Sequence, residues 1–207
     1  FGQPVTCLLL YDSGQEGTDN AKEQFDQILL DMKVSTQAVD VHTTSLADIP
    51  EFDRYKTVVV LISDLDVLGK RLIDLMNWVQ DGGSVLFAMT PQKTTYFDVI
   101  SPELGVLSSS WECKTAESIV PTEEFMLGGG QRYELSDPFE SSLSVSLREE
   151  ATVYASTGDE GVPLVWGTKS GAGRVMVDNI GIYNKVLRGI YAASYSLLCD
   201  AAAYPVI

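Results

Sequence analysis

The stretch LLLYDSGQEGTDN, Leu8 to Asn20, runs an apolar strand into a glycine-punctuated polar loop and on into a helix. Such loops can hold a phosphate, because backbone N–H groups and hydroxyls converge at a helix N-terminus. Here Asp12, Glu16 and Asp19 would crowd that anion, and carboxylates near a helix N-terminus already satisfy its dipole. The expectation is a turn that caps its own helix, with no flavin, nucleotide or other cofactor. His42, the one histidine, stands beside Asp40. One imidazole and one carboxylate make a poor metal site, so a surface or strand-end histidine is expected. What remains is a crevice at the carboxyl ends of the central strands, where open α/β sheets hold ligands. Its rim would be Asp12, Ser13, Ser63, Asp64, Thr90 and Gln92. These acceptors and hydroxyls suit a sugar or a cationic amino-sugar polymer better than a phosphate, and solvated loop ends without a ligand are the competing reading.

The elements that must position this rim follow from apolar spacing. Pro4 to Tyr11 is a continuous apolar run of strand length, the pattern of a strand buried on both faces. Thr18 to Lys33 places Ala21, Phe25, Ile28, Leu29 and Met32 at helical intervals behind a Thr/Asp cap. Ala38 to His42 reads as a strand, and Tyr55 to Ile62 as another buried one. Asp66 to Gln80 is helical, with Leu68, Leu72, Leu75, Met76 and Val79 on one face and Asp81-Gly82-Gly83 stopping it; Ser84 to Met89 is the next strand. That order predicts an α/β fold with a doubly wound, mostly parallel sheet. From about 107 to 160 the pattern turns to glycine, serine and short alternating runs, indicating antiparallel strands, and Pro163 to Asn179 reads as a hairpin. Tyr183 to Ala202 closes the chain as a helix, with Val186, Leu187, Ile190, Ala193, Leu197 and Leu198 inward. A single α/β domain over 1–207 with an antiparallel β-rich C-terminal half is expected.

Composition narrows the function classes. The 207 residues carry 29 acidic and 14 basic side chains, a formal charge of −15, so the long-range field repels nucleic acids and anionic lipid. Cys7, Cys113 and Cys199 have no metal-type spacing and suggest no disulfide framework. Trp78, Trp111 and Trp166 could stack on sugars, but core positions are the simpler reading. The start at Phe1 without a methionine and the end on Pro205-Val206-Ile207 suggest a fragment of a longer chain.

The run FDRYKTVVVLISDLDVLGKRLIDLMNWVQDGGSVLFAM, Phe52 to Met89, has a Tyr before a buried strand, a helix ending in W-V-x-x-G-G, and another strand. It resembles the core of the class I glutamine amidotransferase-like superfamily, a flavodoxin-like fold. Trehalose-utilisation-like proteins and the trimerisation domains of some beta-galactosidases are similar. Gly171 to Val177, GAGRVMV, resembles the hairpin strand that those relatives carry near their ends. In element order the chain also resembles an uncharacterised bacterial family in which such a domain precedes a polysaccharide-deacetylase-like domain, in exopolysaccharide proteins of the cell surface. That likeness implies an extracytoplasmic place, a carbohydrate polymer as partner and a catalytic domain beyond Ile207.

The same resemblance excludes the amidotransferase reaction. The family's nucleophilic cysteine sits on the sharp turn after the strand matching Ser84 to Met89; here the turn reads Ala88-Met89-Thr90-Pro91, and a thioether cannot form a thioester. The partner histidine is missing from the C-terminal part, and Thr90-Pro91 reads as a turn without a base. Two readings stay open, with a flavodoxin-like cofactor binder, against which a colourless purified protein would count, as a third. One is a non-catalytic accessory domain that binds or positions partners for a carbohydrate-processing enzyme; the other is a carbohydrate-active enzyme using the acidic crevice. Raised carboxylate pKa values in that crevice would favour the second, and a filled crevice the first.

Overall fold

The computed structural model describes residues 4–180 and 187–199. In chain order the elements are β1 (Cys7–Tyr11), α1 (Thr18–Asp31), β2 (Thr36–Asp40), β3 (Thr57–Leu61), α2 (Lys70–Gln80), β4 (Ser84–Phe87), α3 (Thr95–Ile100), β5 (Val106–Ser110), β6 (Lys114–Pro121), β7 (Tyr133–Ser141), β8 (Ser144–Leu147), β9 (Thr152–Thr157), β10 (Pro163–Ser170), β11 (Gly173–Asp178) and α4 (Leu187–Leu198). Nine strands form one sheet in the order β2-β1-β3-β4-β11-β10-β9-β6-β7, and β5 pairs with β8 in a separate ribbon. The first five strands of that order are parallel, and the pairings from β11 outward are antiparallel. The fold is therefore mixed α/β with one partly parallel, partly antiparallel sheet.

Unbroken apolar runs at the centre reflect burial on both faces. Leu8 and Leu10 of β1 enter one core with α2, α3 and Trp166, while Cys7 and Leu9 enter the other with α1 and α4. Every side chain of β3 is buried. Each Val or Leu so enclosed contributes about 1.5–3 kcal/mol over an exposed one.

The two stretches that carry the superfamily resemblance pack on each other. Ala172 N–H donates to Gln80 O at 2.9 Å and Arg174 N–H to Gly83 O at 3.1 Å, so the β10–β11 turn sits on the end of α2. A Cβ at Gly173 would lie 1.9 Å from Val79 O, so only glycine permits that approach.

Several sequence expectations need correction. The helix expected over Asp66 to Gln80 is a 3-10 turn, Leu65–Leu68, and then α2, separated by Gly69 at φ 50. The cap of α1 is Gly17 in the left-handed region, with no side-chain bond, in place of the Thr/Asp cap; Thr18 is buried instead, its Oγ1 without a partner among the described residues. The second strand ends at Asp40, so His42 stands in a turn beyond it. α3, capped by Thr94 Oγ1 accepting the Phe97 N–H at 3.3 Å, was not anticipated from spacing because it has only six residues. Of the closing helix, Tyr183 to Val186 and the end beyond Cys199 lie outside the described residues.

Candidate functional site

The rim residues stand on the loops that leave β1, β3 and β4 at their carboxyl ends. The loop after β1 folds back through Asp12, which is 5% exposed. Its Oδ1 accepts the Gly14 N–H at 2.9 Å and its Oδ2 the Gln15 side-chain amide at 3.1 Å. Ser13 N–H donates to Asp40 Oδ1 at 3.1 Å, and the same oxygen accepts the His42 N–H at 3.0 Å. Burial pushes the Asp40 carboxyl up, and the Ser13 and His42 bonds more than offset it, leaving it below its ordinary value. The Ser13 and Gly14 amides of this loop are therefore taken by carboxylates.

Gln15 then crosses to the next loop, where its Oε1 accepts the Ser63 N–H at 2.9 Å. Ser63 O accepts the Gln92 N–H at 2.9 Å, tying in the loop after β4. Asp64 Oδ1 accepts the Asp66 N–H at 3.1 Å and so caps the 3-10 turn, while Asp66 Oδ1 accepts the Tyr96 N–H at 3.0 Å. Thr90 Oγ1 is buried with no partner among the described residues. Asp12, Ser63 and Gln92 are thus brought into one chain of bonds through Gln15, with Ser13 tied to it by the backbone. Asp64 belongs to a separate capping pair, and Thr90 is turned inward.

The chemistry of this end is that of a laced surface. Met89, on the turn after β4, is 4% exposed. His42 Nδ1 lies 3.5 Å from Asp12 Oδ1 on a largely exposed side chain, at the loop beyond β2. Among the described residues no group of His, Cys, Asp and Glu could hold a metal ion. The tryptophans are spent on packing: Trp78 against Phe52, Trp111 against Phe97 at 5.2 Å, and Trp166 fully enclosed with its indole N–H donating to Leu104 O at 2.9 Å.

Sequence reasoning passed over Gln15, the bridge, and Asp178 with Asn179 at the end of β11. Asp178 is fully buried; Ser194 Oγ donates to its Oδ1 at 2.6 Å, and burial pushes its carboxyl up to about 8. Asn179 Nδ2 donates to Leu143 O at 2.8 Å. The available signal was two polar residues directly after the apolar run Val175-Met176-Val177.

A family model described as an uncharacterised protein conserved in bacteria, DUF2194, matches residues 2–148. No curated protein matches the chain. Among solved structures, Gan42B, a GH42 beta-galactosidase of G. stearothermophilus, is similar with a TM-score of 0.66 at 13% identity, over 100% of this chain and 31% of its own. The cytoplasmic protein STM1381 of Salmonella typhimurium LT2 is similar at 0.65 and 12% identity, over 93% and 99% of the two chains. A ThuA-like protein of Parabacteroides merdae is similar at 0.59 and 13% identity, over 96% and 91%. At such identities the likeness is one of fold, and the chain spans about a third of the galactosidase's length.

Proposed function

The chain belongs to the DUF2194 family of uncharacterised bacterial proteins, and we propose that it is a non-catalytic, amidotransferase-like accessory domain of a cell-surface polysaccharide-processing protein. In this reading it binds or positions carbohydrate or protein partners for a deacetylase-like catalytic domain C-terminal to it, outside the cytoplasm. The observation that carries the proposal is the buried Met89 at the elbow after β4, where a nucleophile would have to stand. With a thioether there and the one histidine at the loop beyond β2, the cysteine and histidine that the amidotransferase reaction uses are both missing from the elbow.

Two further features support it. The strand-end crevice is bridged by Gln15, so Asp12 is committed to its own turn rather than offered to a substrate. The alternative, a carbohydrate-active enzyme working through that crevice, needs carboxylates that face an open cleft. In Gan42B a fold of this kind makes up about a third of a glycosidase chain, which suits an accessory place beside carbohydrate chemistry. We read the parallel half, β2-β1-β3-β4 with helices on both faces, as a doubly wound, flavodoxin-like frame kept for its rigidity.

The test compares the full-length protein with a version lacking this domain. Deletion should leave turnover of a small acetylated chromogenic ester unchanged and raise KM on an acetylated polysaccharide. Glutaminase or glycosidase turnover by the domain alone would overturn the reading, as would an unchanged KM on the polymer.

A further inference from the structure

We propose that α4 is a latch held shut by the proton of Asp178: with that carboxyl neutral the helix lies docked on β4 and β11, and loss of the proton lifts it and bares the elbow after β4. The latch needs no ligand and stands apart from the accessory role.

Strand alternation aims the carboxyl. Val175 and Val177 of β11 enter the core on the other side of the sheet, whereas Met176 packs in the core with α4, so Asp178, two residues on, points to the α4 side too. There it is fully buried, and Ser194 Oγ of α4 donates to its Oδ1 at 2.6 Å. Its Oδ2 has no partner among the described residues. β11 runs between β4 and β10 and is paired with both, so the strand is not free to swing the carboxyl out to water.

No counter-charge meets it. β10 sets Val165 opposite Asp178, β4 sets Phe87 opposite Val177 with Ala88 next, and α1 reaches the same core with Phe25, whose ring lies 4.5 Å from that of Tyr191. Among the described residues Asp178 makes no ion pair, and the titratable side chain that feels its charge is Tyr191 of α4. Burial pushes the Tyr191 hydroxyl up, and it donates to Ala88 O at 2.6 Å, so it stays neutral. A carboxylate shut off from water with one hydrogen bond and no cation is costly, and burial accordingly pushes Asp178 up to about 8.

Once ionised, the carboxylate has to regain water. β11 is fixed by backbone ladders on both sides, whereas α4 is fixed by side chains: Ser194 on Asp178, Tyr191 on Ala88, Tyr195 on Thr57 at 2.8 Å and Arg188 on Asp31, beside its apolar face. α4 is the element that yields. Its 12 residues are close to the lower limit for a helix standing alone, so its own hydrogen bonds loosen as it lifts. Lifting takes the Tyr191 hydroxyl from Ala88 O and uncovers Ala88 and Met89, which share a core with Tyr191 and Tyr195. The lifted helix leaves Asp178 near its ordinary 3.8 and the docked one near 8, so docking is tightest below about pH 4, weakens as pH rises and levels off above about pH 8. Between those limits the lifted fraction grows about tenfold per pH unit.

The test is amide hydrogen exchange, read by mass spectrometry at pH 5.5, 6.5 and 7.5 and corrected for the intrinsic exchange rate, in the parent and in Asp178→Asn. Protection of the α4 amides in the parent should fall about tenfold per pH unit, roughly a hundredfold over the series, and stay level in the variant, which keeps an acceptor for Ser194 and cannot ionise. At each pH α4 should exchange ahead of the wholly buried β3 and with a weaker dependence on added urea, the mark of a local opening. Protection of α4 that does not change with pH would overturn the proposal, as would an equal fall in the variant. Exchange of α4 and β3 at one rate with one urea dependence would overturn it too, because the proton would then govern only the domain as a whole. The parent series decides the outcome by itself if the variant does not fold.

Discussion

Gln15 and Ser63 are joined across the end of the sheet: the Gln15 carboxamide oxygen accepts the Ser63 N–H at 2.9 Å while its nitrogen donates to Asp12 at 3.1 Å. One side chain thereby ties the loop after β1 to the loop after β3 at the strand ends, where open α/β sheets hold ligands. Asp12 and Asp40 meanwhile accept the amides of Gly14 and Ser13. Polar groups paired in this way make a firm surface.

Removing the bridge should therefore be a stability experiment. Gln15→Ala deletes two half-buried hydrogen bonds and is expected to cost about 1–2 kcal/mol in urea unfolding. Gln15→Glu should cost at least as much, because a carboxylate cannot donate to Asp12 and adds like charge beside it. An unchanged urea midpoint in Gln15→Ala would mean that the bridge carries no weight.

The buried carboxyl at the end of β11 sets a pH dependence. Burial raises Asp178 from its ordinary 3.8 to about 8, against the pull of the Ser194 hydrogen bond. Between those values the native state keeps a proton that the unfolded chain has released. The contribution to stability is full below about pH 4 and is lost as pH rises towards 8, with a slope approaching about 1.4 kcal/mol per pH unit. Asp178→Asn keeps an acceptor for Ser194 and cannot ionise. Urea stability of the variant relative to the parent should climb from pH 5 to pH 8 and level off above it. A difference that stays constant over this range would show that Asp178 is not held neutral.

How much of this was legible depended on whether the information was local. β1, β3 and β4 could be read because burial on both faces demands unbroken apolar runs, and α1 and α2 because a helix buries every third or fourth residue. Gly69, which splits the expected helix, sits in a pattern that stays apolar on both sides of it, so periodicity passed over the break. The β6–β9 pairing joins residues far apart in sequence, and alternation alone cannot choose a partner strand. Among the rim residues, types and loop positions were legible, but not Gln15, because nothing in the spacing of Asp12, Gln15 and Ser63 says that one side chain reaches both loops.

Tyr191 holds α4 to the sheet just before the elbow. Its hydroxyl donates to Ala88 O at 2.6 Å, and its ring lies 4.5 Å from that of Phe25. Tyr191→Phe preserves the ring and strips the buried Ala88 carbonyl of this donor, so a loss of about 1–3 kcal/mol is expected. Thermal melts of the parent and the variant measure it directly. A variant as stable as the parent would mean that the carbonyl finds another donor.

Placing a thiol at the elbow tests the non-catalytic reading at its own point. Met89→Cys restores the residue type that the amidotransferase resemblance would put there, yet the position is 4% exposed in the parent. The chain's one imidazole, His42, is held beside Asp12 beyond β2, so no histidine is at hand to make the thiolate. The variant should release no more ammonia from glutamine than the parent. In the folded protein iodoacetamide should react first at the exposed Cys113, and at position 89 only after denaturation. Ammonia release would mean that the elbow still holds a usable base and oxyanion site, and the accessory role would then give way to a catalytic one.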